Sequence, residues 1–260
     1  MWCVFCEHDT STSRSVEHII PDSLGNKAHI LARGIVCDRC NNYFASKIEE
    51  PILSSTYFQN LRGRQQITNK RGVIPFQYGI FPQAAVPIAL RTSPDEGTSV
   101  GAWYAKDDAE FVRTVNNARR GTFWLPLSGP IDERLLARFI AKIGTEAYVA
   151  RALEGGITVA EMIASEELKP IRRFVRRGDQ PEKWPISRRR IYHEDRVFFD
   201  GDSSYQVLHE YSLLVTDENE LYAVICVFGE EFAINLGGPS IDGYLRWLSA
   251  NDNRSPLYLT

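Results

Sequence analysis

The sequence contains no run of 18 or more apolar residues, so a membrane-spanning helix and a membrane partner are not expected. Residues 1–6 lack the basic and long apolar segments of a secretory signal, which predicts a cytoplasmic protein. Neither sign of charge dominates, because 30 Lys and Arg stand against 33 Asp and Glu. With 43% hydrophobic and 24% charged residues, the composition excludes a disordered or fibrous chain. The length of 260 residues indicates one or two domains.

Cysteine is scarce, and its placement is informative. Of five cysteines, four form two C-x-x-C pairs, Cys3/Cys6 and Cys37/Cys40. Two such pairs supply the four thiolates of a tetrahedral Zn²⁺ site, although 30 residues separate them, more than a simple zinc ribbon needs. A cytoplasmic location disfavours the alternative of two disulfides. Cys226 lies in an apolar run and is expected to be a buried strand residue.

The segment between and after the cysteine pairs carries a family resemblance. Residues 15–26 read S-V-E-H-I-I-P-D-S-L-G-N, and residues 34–44 read G-I-V-C-D-R-C-N-N-Y-F. Inside paired C-x-x-C knuckles, this combination resembles the HNH endonucleases of the ββα-metal fold. The resemblance covers about residues 1–50. It implies a metal-dependent nuclease that leaves 5′-phosphate and 3′-hydroxyl ends.

The residue types themselves suit phosphodiester hydrolysis. Histidine titrates near neutral pH and can deprotonate water, while carboxylate and amide oxygens suit Mg²⁺ or Mn²⁺. By resemblance, His18 matches the general base, Glu17 the acidic metal ligand beside it, and Asn41 the metal ligand on the following helix. Adjacent side chains of a strand point to opposite faces, so Glu17 and His18 share a site only if the strand bends, for which Pro21 and Gly25 provide a break.

The sequence departs from the family pattern at two positions. The family has an asparagine that holds the hairpin loop nine residues before the helix ligand, where this chain has Ala32. Asn26 or His29 could take its place, so the position is unassigned. A further helix ligand is missing at Ala45, which leaves two protein ligands for the divalent ion and Asn42 as a weaker candidate.

Basic residues are concentrated between Lys169 and Arg196, where ten Lys and Arg stand against four acids. Such a stretch predicts contact with the phosphates of DNA, with RNA left open. The predicted DNA-binding residues are Arg172, Arg173, Arg176, Arg177, Arg188, Arg189 and Arg190. The alternative is that these arginines lie on a solvated helix face or pair with acidic residues of the chain.

The remaining sequence predicts a mixed α+β region. Apolar spacing predicts a helix over 131–153, Thr158-x-x-Glu161 is a capping box that opens a second helix, and residues 170–177 form a third. Strands are predicted over 73–80, 86–91, 100–105, 191–199, 206–215, 221–228 and 231–236, and a final helix over 241–250. Residues 57–72 read as a polar connection. The predicted fold is therefore α+β, with a ββα-metal module over 1–56 and a second domain over 57–260, subdivided near 120–130 and 185–190.

Three functional hypotheses follow. The first is a metal-dependent DNA endonuclease. The second is a non-catalytic zinc-ribbon module that binds nucleic acid or protein. A His18→Ala variant would distinguish the two, since a binding module would keep all its activity. The third extends the first: residues 57–260 recognise the target or sense a trigger in restriction or phage defence, an expectation by analogy. A homodimer is compatible with the sequence, but nothing in it predicts one.

Overall fold

The structure is a computed structural model that describes residues 1–69, 71–93, 95–117, 121–126 and 129–258. Helices and antiparallel sheets are both present, which confirms the predicted α+β class. Within the described residues, no helix has the length and apolar character needed to cross a bilayer.

The predicted helices are present in order, and two helices that were not predicted, Thr56–Arg64 and Asp108–Asn117, are added. They are α1 Asp38–Phe44, α2 Glu50–Leu53, α3 Thr56–Arg64, α4 Asp108–Asn117, α5 Glu133–Glu154, α6 Val159–Ala164, α7 Lys169–Arg177 and α8 Asp242–Ala250. A π-helical turn, Ala45–Glu49, joins α1 to α2. The capping box predicted at Thr158 is present, with both of its hydrogen bonds to Glu161.

The strands pair in three antiparallel sheets. They are β1 Gln77–Phe81, β2 Val86–Ser93, β3 Gly97–Ala102, β4 Ile186–Arg190, β5 Val197–Asp200, β6 Ser203–Gln206, β7 His209–Val215, β8 Leu221–Val227 and β9 Glu230–Asn235. The described sheets have the orders β1-β2-β3, β4-β9-β8-β7 and β5-β6. A turn joins β7 to β8, with Thr216 N donating to Glu220 O at 3.0 Å.

The chain packs as two compact units. The first consists of Met1–Pro21, Asn26–Glu49 and Glu133–Thr260, and the second of Asp22–Gly25 and Glu50–Asp132. This division differs from the boundary predicted at residue 56, because the N-terminal segment packs with helices and strands that follow it by more than 80 residues. The subdivision predicted near 120–130 falls partly on residues 120, 127 and 128, which lie outside the described residues.

In the first unit, the four-stranded sheet is covered by helices on both faces. Tyr222 and Val224 of β8 pack with α8, whereas Ala223 lies against α5. At Gly144 of α5, a Cβ would lie 2.7 Å from the Ala223 Cβ, so glycine allows the helix to approach the strand. Burial on both faces explains why the sequence of β8 is continuously apolar rather than alternating. The sheet therefore holds α5 firmly in place.

In the second unit, α4 packs with the three-stranded sheet around Phe81, Val86, Ile88 and Phe111. The prediction of a polar connection over residues 57–72 is wrong here, because Thr56–Arg64 is helical. The buried face of α3 includes Asn60. The Asn60 Oδ1 accepts from Tyr78 N at 2.6 Å, and its Nδ2 donates to Tyr78 O at 3.1 Å. Asn60, Arg62 and Gly63 are buried beside the apolar Tyr57, Phe58 and Leu61, so the short helix has only three apolar residues to indicate its buried face.

Candidate active site and zinc centre

The four cysteines of the two C-x-x-C pairs come together as predicted. Their sulfur atoms all lie within 4.8 Å of one another, with 3.5 Å between Cys6 Sγ and Cys37 Sγ. All four are free thiols, so the structure does not support the disulfide alternative. Cys37 caps α1, because its Sγ accepts from Cys40 N at 3.4 Å, and the helix then turns Cys40 back towards it. The arrangement fits a tetrahedral zinc ion.

The ionisation of these thiols is consistent with a cation site. A hydrogen bond from the Cys40 thiol, opposed by burial, lowers the pKa of Cys3 to about 4. Burial raises the pKa of Cys6 to about 11, and the pKa of Cys40 is also raised. At neutral pH, some of the four thiols would therefore remain protonated. Binding of a zinc ion would release these protons.

The segment that carries Glu17 and His18 is extended. Ile19 N donates to His29 O at 3.0 Å and Leu31 N donates to Glu17 O at 2.9 Å, an antiparallel bridge that pairs His18 with Ile30. Glu17 and Ile19 are buried, while His18 is half-buried. This alternation places Glu17 and His18 on opposite faces. The bend that the prediction required between them is absent, because the bridge keeps this segment straight.

Helix α1 holds the residues immediately before that strand. The Asp38 carboxylate accepts from Arg14 N at 3.0 Å and from Ser15 N at 2.9 Å. One turn later, Asn41 Nδ2 donates to Val16 O at 3.2 Å. Three consecutive residues are thus tied to one helix, and the Asn41 amide lies beside the strand of His18, as the family resemblance implies.

Lys142 of α5 holds the strand from the other side. Its side chain is fully buried, and its Nζ lies 2.6 Å from Glu17 Oε1, 2.9 Å from Glu49 Oε1 and 3.0 Å from Glu146 Oε2. The same ammonium donates to the carbonyl oxygen of His18 at 2.7 Å. We call Lys142, Glu17, Glu49 and Glu146 the buried charge cluster. It joins the strand, the end of the helical segment after α1, and α5.

The buried charge cluster contains three carboxylates for one ammonium. Burial, which Lys142 only partly offsets, raises the pKa of Glu17 and raises that of Glu146 well above its usual value. Burial alone would lower the pKa of Lys142, but the surrounding carboxylates outweigh it and raise that pKa well above normal. Lys142 is therefore charged, and the surplus negative charge is reduced by keeping a proton on a carboxylate.

Replacing Glu146 by glutamine should change how stability depends on pH. A raised carboxyl pKa means that ionisation costs the folded state free energy, and this cost grows as pH rises from about 4.3 towards the folded pKa. The free energy of unfolding of Glu146→Gln minus that of the wild type should therefore increase between about pH 5 and pH 8. Urea unfolding at fixed zinc concentration measures it. Glu154→Gln, an exposed position on the same helix, is the control, and a flat difference for Glu146→Gln would contradict the assignment.

The structure assigns the missing loop asparagine to Asn26. Its side chain is fully buried, and Nδ2 donates to Ile20 O at 2.5 Å and to His29 O at 2.9 Å. Its Oδ1 accepts from Ala28 N at 3.0 Å and from His29 N at 2.8 Å. His29 does not take this place, because its ring packs edge-on against His209 with the centroids 5.4 Å apart. One amide therefore closes the loop between the two extended segments.

The arginines of α7 have different environments. Arg172 is 3% exposed and donates to Val4 O at 2.9 Å and to Ile163 O at 3.0 Å, so it is a structural residue rather than the surface phosphate contact that was predicted. Arg176 stacks on the Tyr43 ring at 4.2 Å. Arg173 and Arg177 are exposed, and Arg173 pairs with Asp179 at 3.3 Å.

The arginines at 188–190 lie on β4 and face acidic residues of β9. Arg188 Nε and Arg189 Nε lie 2.5 Å from Glu230 Oε1 and Glu231 Oε1, respectively. Arg190 donates to Phe228 O at 2.7 Å. These side chains do not form the free phosphate-binding group that was predicted, because cross-strand glutamates already neutralise them. For this part of the basic stretch, the alternative of pairing with acidic residues fits better.

Sequence reasoning missed Lys142, although the sequence of α5 contains a signal. Lys142 and Glu146 are four residues apart among Phe139, Ile140 and Ile143, all of which are buried. A lysine and a glutamate on an apolar helix face indicate a buried ion pair, but not its partners Glu17 and Glu49, which are distant in sequence.

Comparison with known proteins supports the resemblance in the N-terminal segment. Residues 3–56 match a family described as HNH endonuclease. No curated protein and no solved structure matches the chain. The family match covers about a fifth of the 260 residues. Over residues 3–56, where the four cysteines, His18 and Asn41 lie, this protein is similar to the HNH endonucleases.

Proposed function

We propose that this protein is a metal-dependent endonuclease that hydrolyses phosphodiester bonds of DNA at His18. The observation that carries the proposal is the way the strand of His18 is held. Helix α1 fixes residues 14–16 through Asp38 and Asn41, and Lys142 fixes Glu17 and the His18 carbonyl oxygen. Between buried neighbours, His18 is half-buried and reaches the surface from a rigid backbone. Catalytic groups need this kind of support.

His18 acts as the general base in this proposal. Its ring would accept a proton from the attacking water and so raise the nucleophilicity of the water towards phosphorus. Because the Lys142 ammonium binds the main-chain carbonyl of His18, the imidazole is positioned through the backbone. The family match over residues 3–56 supports this role.

In this proposal Asn41 would hold the divalent cation, whereas Glu17, predicted as the acidic ligand, belongs to the buried charge cluster on the opposite face of the strand from His18. Asn41 Nδ2 is used on Val16 O, which leaves the Oδ1 oxygen outside that hydrogen bond. Glu17 Oε1 contacts Lys142, while Glu17 Oε2 is buried without a hydrogen-bond partner among the described residues. When bound, Mg²⁺ or Mn²⁺ would stabilise the charge that develops on the phosphate and on the leaving 3′ oxygen.

The wider assignments stay predictions. We propose DNA as the substrate, with RNA to be tested beside it. Restriction or phage defence is the proposed setting, with residues outside 1–56 recognising the target, on the analogy that such effectors join a small nuclease to an unrelated domain. A cytoplasmic location is likewise a prediction.

Incubation with supercoiled plasmid tests the proposal. Zinc-loaded protein should convert the plasmid to nicked and linear forms with Mg²⁺ or Mn²⁺, and should not do so after dialysis against buffer without divalent ions other than zinc. A single-stranded RNA of matched length decides the substrate class. Binding without cleavage under every metal condition would favour the non-catalytic zinc-ribbon module instead.

A further inference from the structure

A basic cleft of about 590 Å³ lies between the first cysteine knuckle and α7 in the first unit. Six of its lining side chains are Lys or Arg, against a single acid, Glu7. We call it the knuckle cleft; its lining residues are Phe5, Cys6, Glu7, His8, Arg39, Lys169, Arg172, Arg173, Arg176 and Arg177. A concentration of one sign of charge is notable in a chain whose net charge is −3. It indicates an anionic ligand.

The fold builds this cleft from two separate elements. Lys169, Arg173 and Arg177 are spaced four residues apart on α7 and are all exposed, so they form one row along the helix. The opposite face of α7 is buried through Ile171, Phe174 and Val175, which fixes the orientation of that row. Arg39 comes from the second cysteine knuckle, between Cys37 and Cys40, and is also exposed. A zinc-organised turn therefore contributes to the same surface.

Some of these basic side chains are held by contacts within the fold, and the others are exposed and can contact a ligand. Arg172 is buried and bonded to main-chain carbonyls, and Arg176 stacks on Tyr43. Arg173 pairs with Asp179 at 3.3 Å, but both side chains are more than 40% exposed, and such surface pairs are worth little. The row on α7 together with Arg39 can therefore bind a ligand without breaking the fold.

We propose that the knuckle cleft binds successive backbone phosphates of the nucleic acid, away from the phosphate that is hydrolysed. The inference rests on the proposed function for the identity of the polyanion. Eight residues of helix extend about 12 Å, which is the rise of three to four phosphates along one strand of duplex DNA. A single free phosphate would need no row of this length. Guanidinium groups match phosphate oxygens in geometry as well as in charge.

The chemistry of the lining also predicts the kind of contact. The lining contains no Asn or Gln, which would read adenine, and its exposed charges follow a row along α7, the arrangement expected for contacts with successive phosphates. Phosphate contacts position a nucleic acid and carry no direct sequence information. The knuckle cleft should therefore strengthen binding to all sequences alike and leave any target choice to another part of the protein.

Salt dependence of binding tests the knuckle cleft. The full chain carrying His18→Ala is titrated against a fluorescent duplex by anisotropy, from about 50 to 200 mM KCl. The triple substitution Arg39→Gln, Arg173→Gln, Arg177→Gln is then added. Each lost contact should flatten the slope of log K against log salt by about 0.9, so we expect a slope shallower by about 2 to 3. The control removes the same charge elsewhere on the first unit, at the exposed Arg151, Lys183 and Arg254.

An unchanged slope in the triple variant would overturn the proposal, as would an equal change in the control. A nucleoside monophosphate competitor separates the two sources of phosphate. If it binds wild-type protein, if the triple variant loses this binding, and if the duplex slope is kept, the cleft is a small-anion site and the strand assignment is wrong. Because every measurement is of binding, a failure of wild-type protein to cleave DNA would reject the proposed function and leave this test intact.

Discussion

Replacing His18 by alanine should lower the rate of plasmid cleavage by about 10²–10⁴-fold, the usual effect of losing a general base. Lys142 contacts the carbonyl oxygen of residue 18, which the substitution retains, so the backbone support of the strand remains. Zinc content and thermal unfolding should therefore match the wild type. Single-turnover cleavage of supercoiled plasmid at saturating protein measures the chemical step apart from binding.

The matched control for this prediction is His193→Ala. His193 is 71% exposed and pairs with Asp195 on the surface of the same unit, so its loss should leave the cleavage rate unchanged. If His18→Ala cleaves DNA at the wild-type rate, the assignment of the base is wrong. If both variants lose activity together with zinc, the effect is structural and the base remains to be found.

Replacing Cys37 by serine should remove zinc and unfold the N-terminal segment. Structural zinc sites of this kind contribute an apparent 10–16 kcal/mol of binding free energy, which is also folding free energy. Cys37 has a second role, because its sulfur caps α1 and so helps to place Asn41 beside the strand of His18. We expect about one zinc ion per wild-type chain and none in Cys37→Ser, measured by elemental analysis and followed by thermal unfolding.

Cys226→Ser is the matched control for the zinc prediction. Cys226 is equally a buried free thiol, but it lies on β8, where its Sγ donates to Tyr192 OH at 3.4 Å. A serine hydroxyl can make the same contact, so zinc content should stay at the wild-type level. Soluble, folded wild-type protein without zinc would show that the four cysteines serve another purpose.

The parts of the site that lie close together in sequence were predictable. The chemistry of the two cysteine pairs follows from residue type and spacing, and the structure brings the four sulfurs together, whereas the roles of Glu17 and His18 rest on the family resemblance. Helix α5 was also predictable, since its apolar residues recur at helical spacing. The burial of individual side chains could not be predicted from the sequence. Arg172 and Arg173 are neighbours in a basic run, yet one is 3% exposed and the other lies on the surface.

The remaining features depend on tertiary contacts. Asn26 replaces the loop asparagine of the family from a position six residues earlier than expected, because its amide reaches backbone groups on both sides of the loop. Arg189 was predicted to bind DNA, but its partner Glu231 is 42 residues away on the neighbouring strand. The sequence shows that β4 carries arginines, but only the register between β4 and β9 determines which of them lie beside a glutamate.

The buried charge cluster limits how the N-terminal segment, residues 1–56, can be moved between proteins. A fragment ending at residue 56 would keep Glu17 and Glu49 but lose Lys142, the ammonium that lies between them. If a new host covered these two carboxylates without supplying a counter-charge, the cost would be several kcal/mol. In a chimaera, the segment would have to bring α5 with it or receive a lysine from its new host. The sequence that supports this N-terminal segment therefore includes Lys142, 86 residues beyond the end of the family match.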